Sequence, residues 1–242
     1  MRDNSLFKKG LEELNISLSD EQLQQFEVYY DMLIEKNKVM NLTAITEYED
    51  VLIKHFLDSL TIVKADKGRE MLLTGCSVID IGTGAGFPGI PLKIAFPSIR
   101  LTLMDALNKR ILFLNDVISS LGLKDVETVH ARGEEVARKE IYREKFDLSV
   151  TRAVAKLNSL SELCLPFVKV KGYYISYKSG NIDEELSEAK TAIGKLGGRS
   201  TDVVKFTVPL SDYERSLVVI EKLSNSPTQY PRAGGKVFNK PL

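Results

Sequence analysis

The sequence predicts an α/β protein: a mostly parallel sheet with a C-terminal antiparallel hairpin, preceded by a helical N-terminal extension. Three observations predict it. Residues 1 to about 72 carry apolar side chains at helical spacing and no strand pattern. From Cys76 onward, short β-branched runs alternate with amphipathic stretches, as strands joined by crossover helices do. Between the first run and the first of these helices lies VIDIGTGAGFPG, Val78 to Gly89, which reads as strand, glycine-rich turn and helix start. The 242 residues suffice for an extension over 1–72 and an α/β unit over 73–242 that ends in a basic tail, 224–242.

The extension begins with a capping box, Ser19 with Gln22, and an apolar face of Leu23, Phe26, Tyr30, Leu33 and Ile34. Asn37 to Thr43 breaks the period and reads as a turn. A second helix is predicted from about Glu47 to Lys64, with Val51, Leu52, Phe56, Leu60 and Val63 buried. His55 and Asp58 share one side of it and read as a structural pair.

The glycine turn follows the first strand. Gly84, Gly86 and Gly89 fit G-x-G-x-x-G, so a dinucleotide is one reading. A dinucleotide rests its pyrophosphate on free N–H groups of the helix's first turn, where this chain places Pro88 and Pro91. Asp80 adds a carboxylate, which favours an ammonium over a phosphate. The pattern D-x-G-x-G-x-G, on Asp80, Gly82, Gly84 and Gly86, therefore points to S-adenosylmethionine (SAM) on a Rossmann-like methyltransferase unit.

The second strand, Ile99 to Leu103, ends at Asp105, roughly 20 residues beyond the glycines, where a carboxylate accepts from ribose hydroxyls. A helix over Asn108 to Leu121 closes at Gly122. The third strand, Val126 to Val129, leads to Gly133 and Glu134, placed to touch adenine. The fourth, Phe146 to Val150, delivers Thr151-Arg152-Ala153 to the sheet edge where ligands bind; Arg152 suits the SAM carboxylate, an RNA phosphate or solvent. A helix from Leu157 to Leu165, a strand from Tyr173 to Tyr177, a helix from Ile182 to Leu196 and a hairpin, Val203 to Val208 with Ser216 to Glu221, complete the unit. The tail, with three prolines, two glycines and no acidic residue, has little means to fold alone and reads as an RNA-contacting arm or a solvated end.

Composition narrows the function. Formal net charge is zero, so any nucleic-acid surface is local. Cys76, Cys164, His55 and His130 have no metal-ligand spacing, and no metal is expected. Sparse cysteine, the polar start MRDNSLFKKG and the lack of a long apolar run predict a cytoplasmic protein off the membrane. The fourth strand lacks the (Asn/Asp)-Pro-Pro-aromatic sequence of enzymes that methylate exocyclic amines. Neither cysteine is placed to attack cytosine C5. An acceptor that is already nucleophilic is favoured, such as guanine N7. Holding donor and base in line can then supply most of the catalysis, and no catalytic nucleophile or general base is expected.

These features together resemble one family, bacterial ribosomal RNA small subunit methyltransferase G, also called glucose-inhibited division protein B. The resemblance covers nearly the whole chain: Asn37-Lys38-Val39 with Asn41-Leu42-Thr43-Ala44-Ile45, His55-Phe56-Leu57-Asp58-Ser59-Leu60, the turn from Asp80 to Leu92, Lys109-Arg110 with Phe113-Leu114, Arg132 with Glu134, Thr151-Arg152-Ala153, and Tyr230-Pro231-Arg232 with Lys240-Pro241-Leu242. It implies methyl transfer from SAM to N7 of a guanosine in 16S rRNA near the decoding centre, with the small ribosomal subunit as partner; a monomer is expected, although the sequence does not fix oligomeric state. SAM contacts carry over onto Gly82, Phe87, Asp105, Ala106, Leu107, Gly133, Glu134 and Arg152, and Asn41, His55 and Asp58 are implied to border the active site. Lys109, Arg110, Arg232, Lys236 and Lys240 are the candidate RNA contacts. The tail departs from the family's Gly-x-Pro-x-Lys pattern, since Gly235 is followed by Lys236, Val237, Phe238 and Asn239. A SAM methyltransferase of another substrate and a nicotinamide-dependent oxidoreductase are the alternatives.

Overall fold

A computed structural model describes residues 2–152, 155–233 and 235–242. The extension folds as α1 (Ser5–Glu13) and α2 (Asp20–Met40), followed by one irregular helical run. That run passes from α3 (Tyr48–Val51) through a π-helical turn (Leu52–Leu57) and α4 (Asp58–Leu60) to a 3₁₀ turn (Thr61–Lys64), and α5 (Asp66–Leu73) follows. The capping box starts α2, with Ser19 and Gln22 each accepting the other's backbone N–H. The predicted turn begins later than the sequence suggests. Helix α2 continues through Asn37 to Met40, and Asn41 ends it in the left-handed region at φ 50°.

The α/β unit runs β1 (Ser77–Ile81), α6 (Gly89–Ala95), β2 (Arg100–Asp105), α7 (Asn108–Ser120), β3 (Val126–His130), α8 (Gly133–Val136), β4 (Phe146–Thr151) and α9 (Leu157–Cys164). It continues with β5 (Val168–Ser179), α10 (Asp183–Lys195), β6 (Gly198–Thr207), β7 (Glu214–Lys222) and a short α11 (Lys236–Asn239). The sheet order is β3-β2-β1-β4-β5-β7-β6. The first five strands are parallel, and β7 lies antiparallel between β5 and β6. Strand order reverses between β1 and β4, and a crevice opens there at their carboxyl ends.

The pleat sorts strand residues between two cores. Val78, Leu103, Leu148 and Val219 face a core shared with α2, α6 and α7, whereas Ile79, Met104, Phe146 and Val218 face one built with α8, α9 and α10. The first core does not stop at the extension: Phe7, Phe26, Tyr29 and Phe56 belong to the same buried cluster as Val78, Leu103 and Leu114. The helical face read from the sequence is buried against the sheet's own helices.

The tail is not an extended arm. Tyr230 and Val237 are buried in the second core. Arg138 and Arg143 donate to the carbonyls of Ser226, Gln229, Tyr230 and Pro231, and Ser159 donates to the carbonyl of Val237. Composition misses this because the partners that bind the tail's backbone lie elsewhere in the chain. Among the described residues, no helix is long and apolar enough to cross a membrane.

Candidate functional site

The glycine turn follows the carboxyl end of β1. Gly82, Gly84 and Gly86 have φ of 70°, 64° and 105°, a region where a side chain is strained. A Cβ at Gly82 or Gly84 would have nothing within 4 Å, so those two line open space. Asp105, 3% exposed, braces the turn: its Oδ2 accepts from the Gly84 N–H at 3.0 Å and its Oδ1 from Leu107 N–H at 2.9 Å. Ala106 and Leu107 beside it are exposed. Gly133 opens α8, where an added Cβ would lie 3.6 Å from Ile81 and Leu163, and Glu134 is buried.

Asp80 sits differently from its expected place beside a ligand. It is wholly buried, and its Oδ2 accepts from Thr83 Oγ1 at 2.7 Å and from Gly89 N–H at 2.9 Å. Burial raises its carboxyl to about 6, and its Oδ1 has no hydrogen-bond partner in the structure. Such a leftover buried acceptor under the turn complements a cation above it and opposes a phosphate. The dinucleotide reading fails on the same ground. In the first turn of α6, the Gly89 amide goes to Asp80 and the Ile90 amide to the Gly86 carbonyl, while Pro88 and Pro91 have none. No free N–H remains for a pyrophosphate. The residues fit SAM: an open backbone cradle at Gly82 and Gly84, with an acidic group below.

Across the crevice, Arg152 leaves the end of β4 and gathers residues from the extension. Its Nη1 donates to Asp58 Oδ2 at 3.0 Å and to the carbonyls of Lys54 and His55 at 3.3 Å each, and its guanidinium lies 4.9 Å from the Phe87 ring centre. Those carbonyls sit in the π-helical turn, where the wider winding offers them to side chains. Ala153, expected beside Arg152, lies outside the described residues.

His55 and Asp58 are not bonded to each other as a pair; both bind Arg152. His55 stacks on Phe87 (centroids 4.6 Å apart, planes at 15°), with Nδ1 3.3 Å from Arg152 Nη2 and Nε2 2.7 Å from Thr43 Oγ1. Arginine only donates, so Nδ1 accepts and the ring proton sits on Nε2 toward Thr43. Burial, reinforced by the Arg152 charge, lowers this imidazole to about 3. Asn37 fixes Thr43 by accepting its N–H and donating to its carbonyl. Asn41 occupies the exposed left-handed cap of α2.

Asp58 Oδ1 also accepts from Arg215 Nε at 3.0 Å, which brings the start of β7 to the site. A cavity of about 360 Å³ opens here, lined by Ile45, Lys54, His55, Asp58, Arg152, Tyr213 and Arg215. Tyr213 and Arg215 were not legible in the sequence, because nothing in a hairpin's pattern says which strand it will join. A larger cavity of about 570 Å³ between α10 and β6 shares no residue with this site.

The basic candidates divide. Lys109, Lys236 and Lys240 are exposed. Arg110 Nη1 lies 3.1 Å from Asp105 Oδ2. Arg232 is committed to Glu162, a fully buried carboxylate that accepts from its N–H at 2.7 Å, its Nε at 2.9 Å and its Nη2 at 2.6 Å. Arg232, a candidate RNA contact by sequence, thus turns its guanidinium inward. Burial pushes the Cys76 thiol up to about 12 and the Cys164 thiol well above its usual range. Among the described residues, no group of three or more His, Cys, Asp or Glu could hold a metal ion.

A crevice of this kind, with its helix amides used up but its first two glycines open, fits a SAM-dependent methyltransferase. Solved structures share the fold: a SAM-dependent methyltransferase from Aquifex aeolicus superposes with a TM-score of 0.53 at 19% identity over 74% of this chain and 96% of that one. M. jannaschii TYW2 in complex with AdoMet does so with a TM-score of 0.51 at 16% identity over 64% of this chain and 74% of that one. Sequence comparison narrows the class. The family model for rRNA small subunit methyltransferase G (GidB) matches residues 22–218. Ribosomal RNA small subunit methyltransferase G of Lachnoclostridium phytofermentans is 56% identical over 100% of this chain and 98% of its own length. That of Alkaliphilus metalliredigens is 49% identical over the full length of both. The chain belongs to this family and is a SAM-dependent rRNA methyltransferase.

Proposed function

We propose that the protein transfers a methyl group from SAM to N7 of a guanosine in 16S rRNA near the decoding centre, acting as a cytoplasmic monomer on the small ribosomal subunit. SAM lies over Gly82 and Gly84, with its ribose at Asp105, where it competes with Arg110, and its adenine against Gly133 and Glu134. Its carboxylate faces Arg152. The target base enters the cavity between Arg152 and Tyr213.

The observation that carries the choice of N7 is the state of the polar groups around Arg152. His55 is neutral with its Nδ1 facing a guanidinium, Asp58 is held by two arginines, and both thiols are buried and protonated. The site can orient and neutralise but has little capacity to remove a proton. Guanine N7 needs no proton removed, because it presents a lone pair. SAM supplies an activated methyl group, and the chain supplies position: Phe87, His55 and Arg152 form one stacked wall, which Asp58 fixes from behind. Positioning of this kind reaches effective molarities of about 10⁵–10⁸ M.

The test uses radiolabelled SAM and small subunits from a strain lacking the gene, followed by nucleoside analysis. Label in 7-methylguanosine is expected; label in any other nucleoside overturns the choice of acceptor.

A further inference from the structure

The third glycine of the turn packs against the extension. Gly82 is exposed and Gly84 half-buried, whereas Gly86 is buried. A Cβ on Gly86 would stand 2.6 Å from the Tyr29 hydroxyl, 2.7 Å from Ile90 and 3.0 Å from Leu114. Tyr29, on α2, fills the space that this missing side chain leaves, and its hydroxyl donates to the Ala85 carbonyl at 2.6 Å. The ring is completely buried, stacked on Phe56 at 5.4 Å and 5.5 Å from Phe87. Burial pushes its phenol well above its ordinary range, so it remains a donor.

The turn's other anchors come from the α/β unit itself. The Gly82 and Thr83 amides bond the Met104 carbonyl, the Gly84 amide bonds Asp105, and the Gly89 amide bonds Asp80. Ala85, between the two open glycines and the helix, is held from outside by Tyr29. Helix α2 makes further bonds to the unit that do not touch the turn: Gln22 to the Ile94 carbonyl and Gln25 to the Leu121 carbonyl.

We propose that Tyr29 is a positioning residue for SAM. By fixing the Ala85 carbonyl, the N-terminal extension completes the methyl-donor cradle and sets the orientation of Gly82 and Gly84. This rests on the proposed placement of SAM on the turn.

The test compares Tyr29→Phe, Gln25→Ala and Gly84→Val as full chains, reading SAM affinity by calorimetry, KM for each substrate, and amide hydrogen exchange over residues 82–88. Tyr29→Phe is expected to weaken SAM binding about three- to tenfold, the range of one lost hydrogen bond. It should raise KM for SAM but not for the small subunit, and quicken exchange in the turn. Gln25→Ala, which loosens the same helix elsewhere, should leave all three readings native. Equal losses in both variants would mean that general docking of the helix matters and not the hydroxyl, and would overturn the proposal. Native affinity and exchange in Tyr29→Phe would overturn it as well, even if Gly84→Val abolishes binding as the placement requires. Native affinity in Gly84→Val would overturn the placement, and the proposal with it. Should Tyr29→Phe fold poorly, amide exchange of the native chain with and without SAM decides: a turn over residues 82–88 that exchanges as fast as free backbone in both states overturns the proposal.

Discussion

Replacing Arg232 by alanine separates two roles for the tail. In the structure its guanidinium neutralises Glu162, which is 0% exposed at its side chain while Arg232 is 26% exposed. Deleting the arginine side chain leaves a buried carboxylate with the N–H of residue 232 as its remaining partner from the tail. Removing one member of a buried pair costs about 3–5 kcal/mol, and the partial exposure of Arg232 places this case near the lower end, about 3 kcal/mol. For a chain of this size each kcal/mol lowers the melting temperature by about 2–4 °C, so Arg232→Ala should melt about 6–12 °C lower. Glu162→Gln removes the buried charge, and the double variant should recover part of the loss, with a coupling of about 1–3 kcal/mol. Calorimetric melts of the four proteins give the cycle, and filter binding to small subunits gives RNA affinity, expected to stay within about twofold. An unchanged melting temperature with a tenfold or greater loss of RNA affinity would show Arg232 to be an RNA contact and the ion pair to be unimportant.

Asp58→Asn should slow methyl transfer about ten- to hundredfold, because it removes the charge that orients Arg152 and Arg215, worth about 1.5–3 kcal/mol per charged hydrogen bond; a native rate would refute the assigned geometry. The pH dependence of stability has a definite sign at His55. Between its ordinary value and about 3, the unfolded chain takes up a proton that the native imidazole refuses, so stability falls as pH falls through that window. Asp80, raised to about 6, works the other way, since the native state holds a proton there that the unfolded chain has released. His55→Phe should therefore lose less stability than the native chain between about pH 7 and about pH 4.5 in urea titrations, and an equal loss would mean that the imidazole is free to charge. Burial keeps both thiols protonated, so iodoacetamide near neutral pH should leave the folded protein unlabelled and Cys164→Ala should retain methyl transfer. Inactivation by alkylation of the folded enzyme would reopen a cysteine mechanism.

The parts of this protein that depend on local chemistry were legible in the residues alone. Strand, glycine turn and proline-bearing helix follow from Val78 to Pro91, because φ near +64° to +105° at Gly82, Gly84 and Gly86 is a property of the backbone at those residues. The capping box, the acidic end of β2 and the period-2 strands were legible for the same reason. What depends on partners far along the chain emerged with the folded arrangement. The winding of Leu52–Leu57 into a π turn has no signature in an apolar helical pattern, yet it presents the carbonyls that Arg152 uses, nearly a hundred residues away. Asp80 and Gly86 read as ligand residues from their motif; in the fold Asp80 also accepts from the Thr83 hydroxyl and the Gly89 amide, and Gly86 packs under Tyr29. The tail's composition indicated an arm or a solvated end, whereas buried Glu162 and the arginines after α8 supply the partners that fold it onto the second core. Periodicity reports which residues will be buried. It does not report what they will be buried against, and in this chain that second question fixes the site.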